Sequence, residues 1–299
     1  MPAEIAPLFE HLPWLTQVWA MPRQRGSANL RESWPLVRAL RRERFDRSVD
    51  FAGNDRGAIL SFLIGAGRRL GWTERGGFIG RRFLYTDRVV PETSLGHESL
   101  RLARLLGGWR VPAPRSLEAE IRADVALGDE SAKILPDGEA VICHIASSQP
   151  KKEWPLVHWA ELLRLASAAG YRVLFTTAKG ERERSLMARF KTLAPDAEIL
   201  PLIAELPLFL AVLRRAALFV SGDTGPLHFA AGLGVPTISL FGPSRADQWA
   251  PIGQKHHSLT GGACSCDGNS PDCRSARPCL AQITPQQVFE ALQAALHAS

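Results

Sequence analysis

The chain has 299 residues, 45% of them apolar and 22% charged, an ordinary balance for a globular protein that excludes disordered and collagen-like chains. Its longest apolar stretch, residues 206–213 with a proline inside, falls far short of the roughly 20 residues that a membrane-spanning helix needs. The net charge of +6 belongs entirely to the first 120 residues, which hold 19 arginines, no lysine and 13 acidic side chains.

Residues 1–15 carry Glu4, Glu10 and prolines and lack the basic start, apolar centre and small-residue cleavage site of a secretory signal, so a cytoplasmic protein is expected. Residues 31–47 place Trp34, Val37 and Leu40 at helical spacing and lead into the short apolar piece 48–51, which predicts helix then strand. A loop at 52–55, a helix over 56–64 and a glycine-punctuated stretch at 65–80 follow. Glu98 to Leu106 repeats the helical pattern and stops at Gly107-Gly108. The prolines and turn residues from Trp109 to Asp137 read as an interdomain connection and divide the chain into domains 1–136 and 137–299.

Beyond Asp137, apolar runs at 140–145, 172–176, 218–220 and 237–241 alternate with helical patterns. They are short and almost wholly apolar, as parallel strands covered on both faces should be, so a nucleotide-binding α/β architecture is expected. Thr284 and Pro285 open a last helix whose apolar face is Val288, Leu292 and Leu296.

The stretch 218–243 carries the most chemistry. A strand ends at Ser221, Asp223 and Thr224 are N-cap residues, and Pro226 suits a first helical turn. A helix N-terminus then faces the crevice where open α/β sheets bind ligands, and a diphosphate fits it. Gly225 allows close backbone approach, the Thr224 hydroxyl can donate to an oxygen, and His228 lies on the first turn. The plainer alternative is a capped helix with an ordinary histidine. Ser147, Ser148 and Lys152 follow the first strand of this domain, where hydroxyl donors and a cation can stabilise charge on a departing phosphate; the alternative is that Lys151 and Lys152 form a solvated pair, a reading that suits Lys151 better than Lys152. Glu181 opens the helix after the next strand, placed to accept from a ribose or merely to complement the helix dipole.

In order, Ser-Ser…Lys-x-Trp-Pro-x-x-x-Trp, then Glu181, then Gly-Asp-Thr-Gly-Pro-x-His-x-Ala-Ala-x-Leu-Gly-x-Pro-x-x-x-Leu-Phe-Gly-Pro resembles glycosyltransferase family 9, the ADP-heptose lipopolysaccharide heptosyltransferases. Residues 49–56 and 68–72 are similar to the acceptor domain of that family. The resemblance implies an α/β GT-B fold, with two Rossmann-like domains facing a cleft. It also implies inverting transfer of heptose from ADP-heptose to the lipopolysaccharide inner core, with no metal or cofactor. Ser147, Ser148 and Lys152 would contact the phosphates, Glu181 the ribose or adenine, and Asp223, Thr224, Gly225, Pro226 and His228 the diphosphate and sugar. The implied partners are an ADP-sugar donor, an anionic lipopolysaccharide core and, peripherally, the cytoplasmic face of the inner membrane. The arginine-rich first half suits the carboxylates and phosphates of such an acceptor. No aromatic-rich stacking motif points to nucleic acid.

The sequence departs from the family at its start, where a first strand and a Gly-Asp loop bearing the general base are expected. The N-terminal domain is therefore expected to be incomplete, with an exposed sheet edge that favours marginal stability or aggregation. The general base is left unassigned; Asp50, Asp55, His97 and Glu98 are the substitutes that can be named. A relative that binds a nucleotide-sugar without turning it over is the alternative. A Rossmann oxidoreductase is disfavoured, because no Gly-x-Gly-x-x-Gly turn follows a strand. Cys264, Cys266, Cys273 and Cys279 invite a zinc reading, but the single residue between the first pair is unfavourable, so thiols or a disulfide stay open. With Cys143 the only other cysteine, a reducing compartment is expected.

Overall fold

The computed structural model describes residues 1–21, 30–73, 78, 80–91, 96–136, 140–176, 179–262, 266, 272, 273 and 275–297, excepting the side chains of 30–32. The chain falls into two compact units, one formed by Met1–Ala6 and Gln17–Leu117, the other by Pro7–Thr16 and Glu118–Ser299.

The first unit contains, in chain order, α1 (Leu30–Arg42), β1 (Arg47–Val49), α2 (Asp55–Leu63), β2 (Arg68–Trp72), β3 (Asp87–Val89) and α3 (Glu98–Leu106). Helix α1 ends earlier than its apolar spacing predicts, and Arg44 adopts a left-handed φ of 52° before β1. The three strands are parallel in the order β1-β2-β3, over a core of Leu70, Trp72 and Leu105. Strand β2 lies inside the glycine-punctuated stretch. Its glycine has a packing reason, since a Cβ on Gly71 would meet the Tyr85 ring at 2.3 Å.

The second unit runs α4 (Gly128–Ile134), β4 (Ala140–His144), α5 (Leu156–Ala168), β5 (Arg172–Thr176), α6 (Glu181–Leu193), β6 (Glu198–Ile199), α7 (Leu206–Leu213), β7 (Leu218–Gly222), α8 (Gly225–Gly232), β8 (Thr237–Phe241), α9 (Ala246–Trp249), β9 (His256–Thr260) and α10 (Pro285–His297). Contacts divide the units at 117/118, ahead of the boundary expected at 136/137, and Asp137 itself lies outside the described residues. The intervening segment is packed: Ile121 donates its backbone N–H to the Gly232 carbonyl at 2.7 Å, and α4 lies on α7.

All six strands of this unit are parallel, in the order β6-β5-β4-β7-β8-β9. The four apolar runs form β4, β5, β7 and β8, with every residue of β4, β7 and β8 buried. Alternate residues of β4 feed cores on the two faces, Val141 and Cys143 on one, Ala140 and Ile142 on the other. Helix α10 buries Val288 and Leu292, with Leu296 packed beside them. The strand order reverses direction between β4 and β7, and open α/β sheets bind ligands beyond the carboxyl ends of the strands at such a switch point.

Candidate functional site

A pocket of about 370 Å³ opens at that switch point, wholly within the second unit. The loop after β4 contributes Ser147 and Ser148 above His144, the β5–α6 connection contributes Lys179 and the first turn of α6 contributes Glu183. Leu202 and Ile203 beyond β6, with Phe209 of α7, make an apolar end. Thr224, the residue before α8, and Gly225 and Pro226 of its first turn close the opposite end. Thr224 is the N-cap of α8, extended at φ −142° and ψ 162°, and its side chain makes no cap hydrogen bond. Its hydroxyl lies 3.5 Å from the Ser221 hydroxyl instead. The positive end of the α8 dipole is thereby presented to the pocket.

Asp223 does not cap α8. Its Oδ2 accepts from Lys152 Nζ at 2.8 Å, and its Oδ1 lies 3.6 Å from His228 Nε2. Burial alone would raise this carboxyl, but His228 and Lys152 beside it outweigh that and hold it well below the usual carboxylate range. Asp223 is thus an anion that places two cation-capable side chains next to the helix N-terminus. Lys152, Asp223, Thr224, Gly225, Pro226 and His228 are brought together as the sequence suggests.

The position of Lys152 follows from packing on both sides. Its carbonyl rests against Gly222 so closely that a Cβ there would lie 2.9 Å from the oxygen. Just beyond it, Trp154 and Trp159 are buried edge-to-face at 4.8 Å, and Trp154 Nε1 donates to the Ile283 carbonyl at 3.0 Å. The tryptophans of the Lys-x-Trp-Pro-x-x-x-Trp motif therefore anchor the lysine loop in the core. Lys151 is buried, at 8% exposure, so it is no member of a solvated pair.

Glu181, the first residue of α6, is exposed and does not line the pocket, whereas Glu183 does. Thr177 and Ala178, between β5 and this turn, lie outside the described residues. His144 was not anticipated. It closes β4, stacks on Phe219 at 6.5 Å, and burial pushes its imidazole down to about 4 against the pull of Glu183, so the ring is neutral at pH 7. His144 Nδ1 and the Ser147 hydroxyl are buried with no hydrogen-bond partner among the described residues. Buried polar atoms are normally satisfied, so such a pair beneath a pocket is a place for ligand atoms. The signal for His144 was a polar residue ending an apolar run at the carboxyl edge of the sheet.

In the first unit the substitutes named for a general base are engaged locally. Asp50 is buried and accepts from the Tyr85 hydroxyl at 2.6 Å and from the Ala52 and Gly53 N–H groups at 3.0 and 3.3 Å. Asp55 accepts from the Phe78 N–H at 3.3 Å and lies 3.5 Å from Arg81. His97 Nδ1 caps α3 by accepting from the Ser99 N–H at 3.2 Å, and Glu98 pairs with Arg101 at 2.6 Å. Among the described residues no group of three or more His, Cys, Asp or Glu is arranged to hold a metal, and Cys264 lies outside them. No helix among the described residues is long and apolar enough to cross a membrane.

A parallel Rossmann-like sheet with an anion-receptive helix N-terminus and a buttressed lysine at its switch point is the arrangement with which open α/β domains receive phosphorylated ligands. Residues 33–272 match the sequence profile of glycosyltransferase family 9 (heptosyltransferase), and the chain belongs to that family. It is 29% identical over 315 residues to lipopolysaccharide heptosyltransferase 2 of Escherichia coli K12, covering 99% of this chain and 88% of that protein. It is 28% identical over 262 residues to lipopolysaccharide heptosyltransferase 1 of the same strain, covering 85% and 74%. Among solved structures, E. coli ADP-heptose lipopolysaccharide heptosyltransferase II matches with a TM-score of 0.77 at 21% identity, covering 99% of this chain and 88% of that one. The family 9 glycosyl transferase from Veillonella parvula matches with a TM-score of 0.78 at 18% identity, covering 100% and 87%. E. coli heptosyltransferase WaaC with ADP-2-deoxy-2-fluoro heptose matches with a TM-score of 0.63 at 23% identity, covering 88% and 76%. The fold is GT-B, and the chain is a glycosyltransferase.

Proposed function

We propose that this glycosyltransferase moves heptose from ADP-heptose to the inner core of lipopolysaccharide, with inversion and without a metal. The second unit holds the donor, laid across the sheet in the order of its strands. The diphosphate sits on the α8 turn near Ser147, Ser148, Thr224 and Gly225. The ribose lies by Glu183, with Glu181 on the same helix turn, and the adenine rests against Leu202, Ile203 and Phe209. As the acceptor oxygen attacks the sugar from the side opposite the diphosphate, negative charge grows on the leaving group. Lys152 and the α8 dipole supply the compensating positive charge, with the His228 ring beside them on Asp223.

The first unit, with its excess of arginine, receives the anionic acceptor at the cytoplasmic face of the inner membrane. The observation that carries the proposal is the Lys152–Asp223–His228 cluster beside the α8 N-terminus in a family 9 chain. Incubation with ADP-heptose and a heptose-free core acceptor in EDTA should give a product of inverted anomeric configuration. Retention at the transferred sugar would contradict the mechanism. The local engagement of Asp50, Asp55, His97 and Glu98 favours a second reading, a relative that binds ADP-heptose without transferring it. ADP binding with no product in the same assay distinguishes it.

A further inference from the structure

Ser147 and Glu183 reach the pocket from separate elements, the loop after β4 and the first turn of α6. A single guanidinium joins them. Arg182 pairs through Nη1 with Glu153 Oε1, donates through Nη2 to the Ser147 carbonyl, and lies 3.3 Å from Glu183 Oε1. The same Glu153 Oε1 accepts the Ser147 backbone N–H at 3.3 Å. Both polar groups of the Ser147 backbone are therefore held by one ion pair, and Glu153 sits between Lys152 and the buried Trp154.

Neither Glu153 nor Arg182 is among the residues lining the pocket. Partly exposed ion pairs add little to stability, so the consequence of this one is geometric. A backbone carbonyl and a carboxylate side by side suit the rigid fork of arginine and not the single ammonium of lysine. We propose that Glu153 and Arg182 are positioning residues of the donor pocket, clamping the Ser147 loop and tying it to the Glu183 wall so that both meet one nucleoside diphosphate in register. The proposal rests on the donor-site reading given above, and it adds residues that neither motif nor pocket lining identifies.

Amide hydrogen exchange across residues 145–149, with no nucleotide present, tests the clamp directly. Arg182→Met and Glu153→Gln should each speed exchange at the Ser147 amide about tenfold or more, the loss of a charge-assisted hydrogen bond. Their melting temperatures should stay within about 3 °C of wild type. Unchanged exchange in both variants overturns the clamp. Calorimetric titration with ADP tests its use. Each variant should bind about tenfold more weakly, the double variant no more weakly than either single, since coupled groups are not additive. Arg182→Lys should fail to restore binding. Wild-type affinity in the variants, additive losses, or full rescue by lysine each count against it. Failure of the wild-type protein to bind ADP sinks the donor reading instead, and the exchange data still judge the clamp.

Discussion

Gly222→Ala is the smallest change that should separate the lysine loop from its seat. The added methyl would lie 2.9 Å from the Lys152 carbonyl oxygen, where an ordinary contact is roughly 3.5 Å, so the loop must retreat by about half an ångström. The glycine has no positive φ, so backbone strain is not part of the cost. Overpacking of this kind costs about 1–3 kcal/mol, and alanine returns about 0.4–1 kcal/mol by restricting the unfolded chain. The net loss of about 1–2 kcal/mol should lower the melting temperature by about 2–8 °C in a unit of this size. Lys152 would also shift from its 2.8 Å bond to Asp223. Misplacements of about 1 Å can cost a hundredfold in rate, so a loss of roughly tenfold in kcat is expected here. Thermal denaturation and a transfer assay on one preparation read both effects. Wild-type values in both would refute the packing of the loop on β7, and a lowered melting temperature with intact kcat would refute the role given to the position of Lys152.

Gly225→Ala should behave oppositely: its Cβ would meet only the Phe229 ring, at 3.5 Å, so folding should be unaffected while ADP affinity falls about tenfold or more. Unchanged affinity by titration would remove the phosphates from this turn. The His144 imidazole, lowered to about 4 by burial, makes stability pH-dependent. Between its unfolded value near 6.5 and about 4 the unfolded chain binds a proton that the folded chain does not, so stability is full above this window. It declines on acidification by about 3 kcal/mol in all. Urea midpoints at pH 7 and 4.5 should show this decline in wild type and much less of it in His144→Phe; equal slopes would contradict it. Trp154→Ala should cost about 3–5 kcal/mol by emptying the core beneath the lysine loop. Trp154→Phe should cost less, about 1 kcal/mol of it for the bond to Ile283; a Phe variant as stable as wild type in denaturant titrations would argue against the bond.

What was legible in the sequence follows physical lines. Strands β4, β5, β7 and β8 announce themselves because strands covered on both faces must be apolar. The edge strands did not. Strand β6 is two residues long, and β9, His256 to Thr260, is largely exposed, so neither leaves an apolar run. Strand β2 was hidden by Gly71, which read as a breaker although the Tyr85 ring requires it. The turn at Asp223–Pro226 was recognisable from its cap residue and proline, but whether Asp223 would cap the helix or hold Lys152 depends on a contact across 71 residues. The carboxylate on α6 turns on a local rule: residues two apart on a helix point about 200° from each other, so Glu181 and Glu183 cannot share a face. The motif named Glu181, and tertiary packing brings Glu183 to the pocket instead. His144 and Arg182 act through the meeting of separate sheet-edge loops and have no motif of their own.

Calorimetric titration of folded, cooperatively melting protein with ADP, in EDTA, tests most directly whether the α8 turn and its lysine form a nucleotide-diphosphate site. The expected result is saturable uptake of one ADP per chain, weakened at least about tenfold by Lys152→Ala. No binding of ADP or of ADP-heptose by such a preparation would contradict it.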